Sequence, residues 1–242
     1  MRLTPLYRWT RFLLLLLLVL IGARIAYAFF KPRPEDLPWT PLSLDQPIGV
    51  FTGRKLTALT KEPDRCIGLL EEPGLKFKQM PPRGGTCPVP DAVRITKGQD
   101  MLSLTPTSVA PACPVVAALA LWQWRAVTPA AHRLFNASVV KIHHYGSFAC
   151  RRMYGRDTGS WSEHASADAI DISGFTLSDG TEIRVKRDWP TDGKKSQFLH
   201  EVRDEACRLF STVLSPDFNE QHQDHFHLDQ AERGEWGWRS CR

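Results

Sequence analysis

Two features are missing from this sequence of 242 residues, and each absence narrows the possible architectures. None of its six cysteines stands in a Cys-x-x-Cys pair, the spacing that would suit a closed zinc site or thiol redox chemistry. The sequence also has no internal repeat, and low-complexity stretches are confined to its N-terminal segment. The remainder has ordinary composition and is long enough for one compact domain.

The N-terminal segment is strongly apolar and sets the expected compartment. Residues 12–23 form an unbroken run rich in leucine, and three arginines precede it. This arrangement predicts a membrane anchor with a cytoplasmic start and an exported remainder. Ala26-Tyr27-Ala28 leaves a cleaved signal peptide as the alternative. We favour a single-pass anchor over residues 1–30, in the inner membrane, with the following domain in the periplasm.

Proline is concentrated directly after the anchor. Five prolines lie between residues 31 and 55, which predicts an extended tether that would hold the domain off the membrane. The tether leaves residues 56–242 as the domain. Net charge is +5, partly because of arginines in the leader. A basic exported domain is expected to associate with anionic wall polymer or lipid headgroups, whereas nucleic acid is not expected in that compartment.

All six cysteines lie beyond the anchor. In an exported domain they predict three disulfides, whereas six reduced thiols in a cytosolic domain would conflict with the leader. Only Cys66 and Cys87 are close enough in sequence for their pairing to be guessed.

Hydrophobic periodicity and turn residues predict an α+β domain with a small antiparallel sheet and flanking helices. The predicted helices cover residues 115–127, 128–135 and 195–214, and the predicted strands cover residues 139–144, 169–177, 182–185 and 225–228. Thr128 is expected to be the N-cap of the second helix. Asp179-Gly180 predicts a hairpin between the second and third strands.

Two short segments contain the residue types of an open zinc site. One holds His164 and Asp171, and the other, residues 222–227, holds three histidines. Catalytic zinc takes His and carboxylate ligands and leaves a fourth position for water, whereas structural zinc is usually closed by cysteine. Asp171 alternates with isoleucines that point the other way, into a core. His225 and His227 share one face of their strand.

These segments resemble known zinc enzymes. The pattern Ser-x-His, six residues, Asp, and then His-x-His resembles the LAS metallopeptidases, which include lysostaphin-type enzymes, D-Ala-D-Ala metallopeptidases and the hedgehog signalling domain. Residues from about 56 to the end more closely resemble the bacterial extensin-like C-terminal domain family. The motifs that carry this resemblance are Tyr145-Gly146-Ser147-Phe148-Ala149-Cys150-Arg151, Ser162-Glu163-His164, Ala169-Ile170-Asp171-Ile172-Ser173-Gly174-Phe175, His225-Phe226-His227-Leu228-Asp229 and Cys241-Arg242. The Pro-rich repeat of plant extensins does not occur in the sequence.

The resemblance implies a role for each matching residue. His164, Asp171 and His227 would bind Zn²⁺. His225 would be the second-sphere histidine that acts as base or stabilises the oxyanion, and His222 would be a further active-site histidine. Arg151 would grip a substrate carboxylate. The strand that carries His227 would lie antiparallel to the strand that carries Asp171.

The sequence departs from the LAS pattern at two positions. Related peptidases usually have Gly where this chain has Ala167, and many have a Glu as base. Here only Asp224 stands near the place of that Glu, and strand alternation turns it away from His225. Asp224 is therefore expected at the surface or behind the ligands, and His225 is the better candidate for moving protons.

Together these features predict a membrane-anchored periplasmic zinc peptidase that hydrolyses an amide bond in the stem peptide or cross-link of peptidoglycan. The alternative is a module that binds the cell wall, or serves as a scaffold, and keeps the zinc without turnover. A disulfide-rich domain without metal is a third possibility.

Overall fold

The structure of the chain, a computed structural model, describes residues 5–96, 103–234 and 238–242. Arg2, one of the three arginines before the apolar run, lies outside these residues. The described chain is a mixed α+β protein with an N-terminal apolar helix and three disulfides.

Helix α1 spans Pro5–Phe30. Its apolar stretch, Tyr7–Ala28, has 22 residues and is not buried against any other part of the described chain. At about 1.5 Å per residue this length matches the hydrocarbon core of a bilayer, about 30 Å thick. The helix is therefore long and apolar enough to cross a membrane or to act as a signal sequence.

Part of the Pro-rich segment packs on the domain, although the sequence predicts an extended tether. A 3₁₀ turn covers Pro34–Asp36, and helix α2 covers Thr52–Ala58. Between them Leu44 is only 1% exposed and belongs to the main hydrophobic core. The segment carries apolar side chains between its prolines, and removing them from water stabilises a path packed on the domain.

The described residues form five further helices. They are α3 (Pro63–Glu71), α4 (Cys113–Trp122), α5 (Thr128–Phe135), α6 (Val185–Asp188) and α7 (Lys194–Leu209). The main core fills the space between α4, α7 and the sheet, where Trp122 and Phe198 both pack against Phe175. The indole Nε1 of Trp122 donates a 2.7 Å hydrogen bond to the carbonyl of Val202 on α7.

Two helix boundaries differ from the prediction. Thr128 has helical angles (φ −63°, ψ −49°) and is not an N-cap, because a π-helical segment, Gln123–Val127, joins α4 to α5. A π-helical turn is one way for a helix to accommodate the missing N–H of Pro129. Helix α7 ends at Leu209, five residues earlier than expected, and the next residues turn extended. There Thr212–Leu214 form a strand instead.

In the described part of the chain, the larger sheet has seven strands and is mixed. A separate antiparallel pair consists of β1 (Phe77–Gln79) and β2 (Val93–Ile95). The strands of the large sheet are β3 (Leu104–Thr105), β4 (Val139–Gly146), β5 (Ala169–Leu177), β6 (Glu182–Arg184), β7 (Thr212–Leu214), β8 (Phe226–Asp229) and β9 (Ser240–Cys241). The order is β3-β4-β5-β8-β7-β9, and β6 pairs with β5.

The predicted small, purely antiparallel sheet is therefore wrong. Strands β3 and β4 are parallel, and so are β7 and β9. Strands β3 and β9 have two residues each, too few for their alternation to be recognised in a sequence. The bounds of β5, the hairpin between β5 and β6, and the antiparallel pairing of β5 with β8 are confirmed.

Three disulfides are confirmed, but the guessed pairing is wrong. The bonds join Cys66 to Cys113, Cys87 to Cys150, and Cys207 to Cys241. Cys66 lies on α3 and meets the first residue of α4, because these two helices pack together in the core. Distance along the chain was a poor guide because packing brings together helices that are remote in sequence.

Candidate metal site

Three side chains converge at the junction of β5 and β8. Asp171 and His227 face each other as a cross-strand pair, and His164 reaches them from the loop before β5. His164 Nε2 lies 3.2 Å from His227 Nδ1 and 3.2 Å from Asp171 Oδ2. His227 Nδ1 lies 3.0 Å from Asp171 Oδ1. The structure thus brings together the three residues predicted to bind zinc.

Neighbouring groups determine which nitrogen of each imidazole carries hydrogen. His164 Nδ1 lies 2.7 Å from the carbonyl oxygen of Ser147, so it must donate there. His227 Nε2 lies 3.3 Å from a carboxylate oxygen of Asp229, to which it donates. In the neutral rings the other nitrogens therefore carry lone pairs. Two lone pairs and a carboxylate meet at one point, an arrangement that requires a cation or a proton.

Backbone conformation positions His164. A 3₁₀ turn, Glu163–Ser166, begins at Ser162, whose hydroxyl accepts a hydrogen bond from the backbone N–H of His164. The turn ends at Ala167, which has the left-handed angles φ 59° and ψ 15°. Of all residues, glycine adopts this left-handed conformation most readily.

The electrostatics of the cluster favour positive charge. Burial by itself would raise the pKa of Asp171, but hydrogen bonds with His164 and His227 hold it far below its usual range. Burial by itself would lower the pKa of His227, but hydrogen bonds with Asp171 and Asp229 raise it to about 9. A cation beside Asp171, either a proton or a metal ion, is therefore stabilised.

The donor spacing fits tetrahedral zinc. Ligand atoms about 2.0 Å from a tetrahedral ion lie about 3.3 Å from one another. The nearest approaches between the three side chains, 3.0 to 3.2 Å, are close to that value, and they involve both carboxylate oxygens of Asp171. Ser147 and Asp229, which accept the outer hydrogen bonds of the two imidazoles, complete the support that metal-binding histidines usually have.

The cluster lies in a cavity of about 290 Å³, which we call the cleft. His222 and His225 line it beside the three donors. The opposite wall is formed by the loop after β4, where Met153, Tyr154 and Trp161 expose much of their side chains. A ligand can therefore approach the donors from solvent.

His225 is oriented by a carboxylate. Its Nδ1 donates to Asp224 Oδ1 at 2.8 Å, and its Nε2 lies 3.5 Å from Asp171 Oδ1. The hydroxyl of Tyr145 donates to the other oxygen of Asp224 at 3.3 Å. The expectation that Asp224 points away from His225 is wrong, because both residues precede β8 and do not follow strand alternation.

His222 lies at the end of a 3₁₀ turn, Glu220–His222. Its ring centre is 5.3 Å from that of His225, and its Nδ1 lies 2.6 Å from Asn219 Oδ1. Burial, together with the nearby His225, lowers the pKa of His222 to about 4. This histidine is therefore neutral at physiological pH and can accept or donate a hydrogen bond in the cleft.

Comparison with known families assigns most of the chain. The model of the family described as "Extensin-like protein C-terminus" matches residues 64–242. The chain belongs to this family. No curated protein and no solved structure matches the chain. All the candidate metal donors of this extensin-like protein lie inside the matched region.

Arg151 of the extensin-like protein lines the cleft and is exposed. Its loop is held in place by a backbone hydrogen bond from Ser162 N–H to the carbonyl of Arg151, and by the disulfide at Cys150. The guanidinium is thus on the same side of the domain as the donors, as a carboxylate-binding role would require.

Arg233 also lines the cleft, which the sequence did not predict. Its guanidinium donates to the hydroxyl of Thr212 at 2.8 Å and lies 3.5 Å from Asp229, the residue that supports His227. Arg233 follows Asp229 by four residues in an irregular segment, and no pattern marks it. Glu163 also lines the cleft, and burial raises its pKa.

Proposed function

We propose that this extensin-like protein is a zinc-dependent hydrolase that cleaves an amide bond in the peptide part of peptidoglycan. The observation that carries the proposal is the convergence of two imidazole lone pairs and one carboxylate at the floor of an open cleft. Zinc held there would supply a Lewis acid that polarises an amide carbonyl and makes a water molecule more acidic. The resemblance to LAS metallopeptidases supports this choice of metal and reaction.

The residues around the donors have complementary tasks in this proposal. His225 moves a proton between the attacking water and the leaving amine. Asp224 accepts from its Nδ1 and so keeps the lone pair of Nε2 directed toward the donors. Arg151 pairs with a carboxylate of the peptide, for which a planar guanidinium is suited.

The proposed location is the periplasmic side of the inner membrane, with α1 as anchor. Arginines before the apolar stretch favour a cytoplasmic start. Three disulfides are typical of an oxidising compartment. Both features support contact with the cell wall.

The test uses the full chain in detergent, incubated with peptidoglycan fragments, with chelator, and with zinc restored after chelation. We expect one zinc ion per chain and a new amine terminus in the products, both lost in His227→Ala. His132→Ala is the matched control, because the His132 side chain is exposed and, among the described residues, hydrogen-bonds only to the hydroxyl of Ser138, at 3.2 Å.

Two results would overturn the proposal. A chain that binds no zinc would remove the metal site. A chain that binds zinc and wall fragments but releases no product would favour the non-catalytic wall-binding module.

A further inference from the structure

A second cavity, of about 640 Å³, lies next to the cleft. It is bounded by strand β2 and the loop that precedes it, by residues 106–110, and by the end of β4. The volume is within the range of small-molecule sites, about 300–1,000 Å³. Much of the wall is apolar, with contributions from Met80, Val89, Val109 and Phe148.

The charges in this second cavity are all of one sign. Arg83 and Arg94 line it, and none of the described residues that line it is an aspartate or glutamate. A guanidinium keeps its charge in proteins at all accessible pH values. The lining residues therefore contribute two guanidinium groups and no carboxylate.

Arg94 shows this imbalance most clearly. Its Nε is buried and has no hydrogen-bond partner among the described residues. No ion pair involving Arg94 occurs in the described part of the chain either. Leaving a polar group unpaired in such a place destabilises the protein, and more so when the group is charged. An anion beside Arg94 would remove that cost.

A second polar atom of the wall is also unsatisfied. His144 is 7% exposed, and its Nε2 lies 2.7 Å from the carbonyl of Pro106, so Nε2 donates there. The remaining nitrogen, Nδ1, is buried without a partner among the described residues. Arg83, in turn, is held over the ring of Phe148 at 3.9 Å. The site thus combines a guanidinium stacked on an aromatic ring with two polar atoms that have no hydrogen-bond partner among the described residues.

We propose that the second cavity binds an oxyanion, a carboxylate or a phosphate, carried on a small ligand with an apolar portion. Arg94 and Arg83 pair with the oxyanion, and the apolar walls cover the remainder. Tyr145 lines this cavity and also donates to Asp224, so the ligand lies next to the group that orients His225. Binding here requires no zinc.

The test compares two probes that differ only in the oxyanion. N-acetyl-leucine and N-acetyl-leucinamide are titrated into the full chain in detergent after chelation, and arginine Nε–H signals are followed by NMR. We expect the acid to bind at least about tenfold more tightly than the amide, because a carboxylate accepts charge-assisted, bidentate hydrogen bonds from a guanidinium and a neutral amide does not. Phenyl phosphate, titrated in the same way, identifies the better oxyanion.

Four variants locate the binding. Arg94→Gln and Arg83→Gln should each remove the preference for the acid. Arg94→Lys keeps the positive charge and should keep part of the preference, which shows that a loss in Arg94→Gln is not caused by misfolding. Arg65→Gln is the matched control, since Arg65 is exposed and pairs with Glu62 at 2.8 Å. Equal binding of acid and amide, or a preference that survives both glutamine variants, would overturn the proposal.

Arg151→Gln separates this cavity from the cleft. The Arg151→Gln variant should still prefer the acid. If Arg151→Gln loses this preference and Arg94→Gln keeps it, the anion binds in the cleft instead. Because the titration is done without zinc, its failure says nothing about hydrolysis, and a failure of hydrolysis leaves the second cavity intact.

Discussion

The two halves of strand β5 contribute to different parts of the molecule, one to the cleft and the other to the hydrophobic core. The first half pairs with β8 and places Asp171 among the histidines of the cleft. The second half pairs with β6 and places Phe175 against Trp122 and Phe198 in the core. Asp171 is 17% exposed at its side chain, whereas Phe175 is 0% exposed.

An extra residue separates the two halves. Opposite β4, His143 pairs with Gly174 and His144 pairs with Ile172, so Ser173 has no partner on that strand. Such a β-bulge shifts the alternation of side chains by one residue. Asp171 and Phe175 are four residues apart and would share a face in a regular strand, but the bulge directs one to the cleft and the other to the core.

Metal binding and folding stability are therefore separable along β5. The cleft end is held by charges and hydrogen bonds that favour a cation, and the core end is held by buried apolar area. Substitutions at the core end should change the free energy of unfolding and leave metal binding intact. Substitutions at the cleft end should do the reverse.

The largest stability effect is expected at the core end. Phe175→Ala should lower the free energy of unfolding by about 3–5 kcal/mol, because it leaves a cavity against two aromatic rings. Chemical unfolding followed by tryptophan fluorescence measures the loss. Zinc bound per folded chain should not change. Val140→Ala on β4 is the matched control, because Val140 is 42% exposed and its truncation should cost less than about 1 kcal/mol. A folded Phe175→Ala protein without zinc would contradict the separation.

The next effect is expected beside the cleft, at Asp224, which lies outside β5 and orients His225. Asp224→Asn should lower kcat by about 10²-fold, because His225 loses the carboxylate that fixes its orientation. KM and zinc content should stay the same, which a general loss of structure would not allow. Tyr145→Phe, which removes only the weaker 3.3 Å hydrogen bond to Asp224, should have a smaller effect. An unchanged kcat in Asp224→Asn would show that Asp224 does not position the base.

The smallest effect concerns the residue just before β5. Burial is the main cause that raises the pKa of Asp168 from 3.8 to about 7. Between these two values the folded protein holds a proton that the unfolded chain has lost, so stability falls as the pH rises through this window. Asp168→Asn should remove that fall and stabilise the protein by roughly 1–3 kcal/mol above the window, with little effect below it.

Unfolding free energies measured at about pH 4 and about pH 8 test this expectation. Asp157→Asn, in an exposed loop, should leave both values unchanged. If Asp168→Asn stabilises the protein equally at both pH values, the penalty comes from packing and not from a buried charge.

Local features of the fold were predictable because neighbouring residues determine them. Alternating apolar residues and the Asp179-Gly180 turn predicted β5 and its hairpin with β6, and these are confirmed. The same local patterns identified His164, Asp171 and His227 as possible donors, and the structure brings their side chains together. Their role as zinc ligands stays a prediction.

Three features could be predicted from the amino-acid sequence: the apolar N-terminal helix, the strand that carries Asp171, and the presence of three disulfides. They were predictable because periodicity, turn chemistry and cysteine count are properties of short stretches or of composition. The cysteine pairs, the bulge at Ser173, the turn of Asp224 toward His225 and the second cavity became visible only in the folded chain. Each of these depends on which remote segments pack together. That choice follows from the burial of the whole chain, and no short stretch of sequence records it.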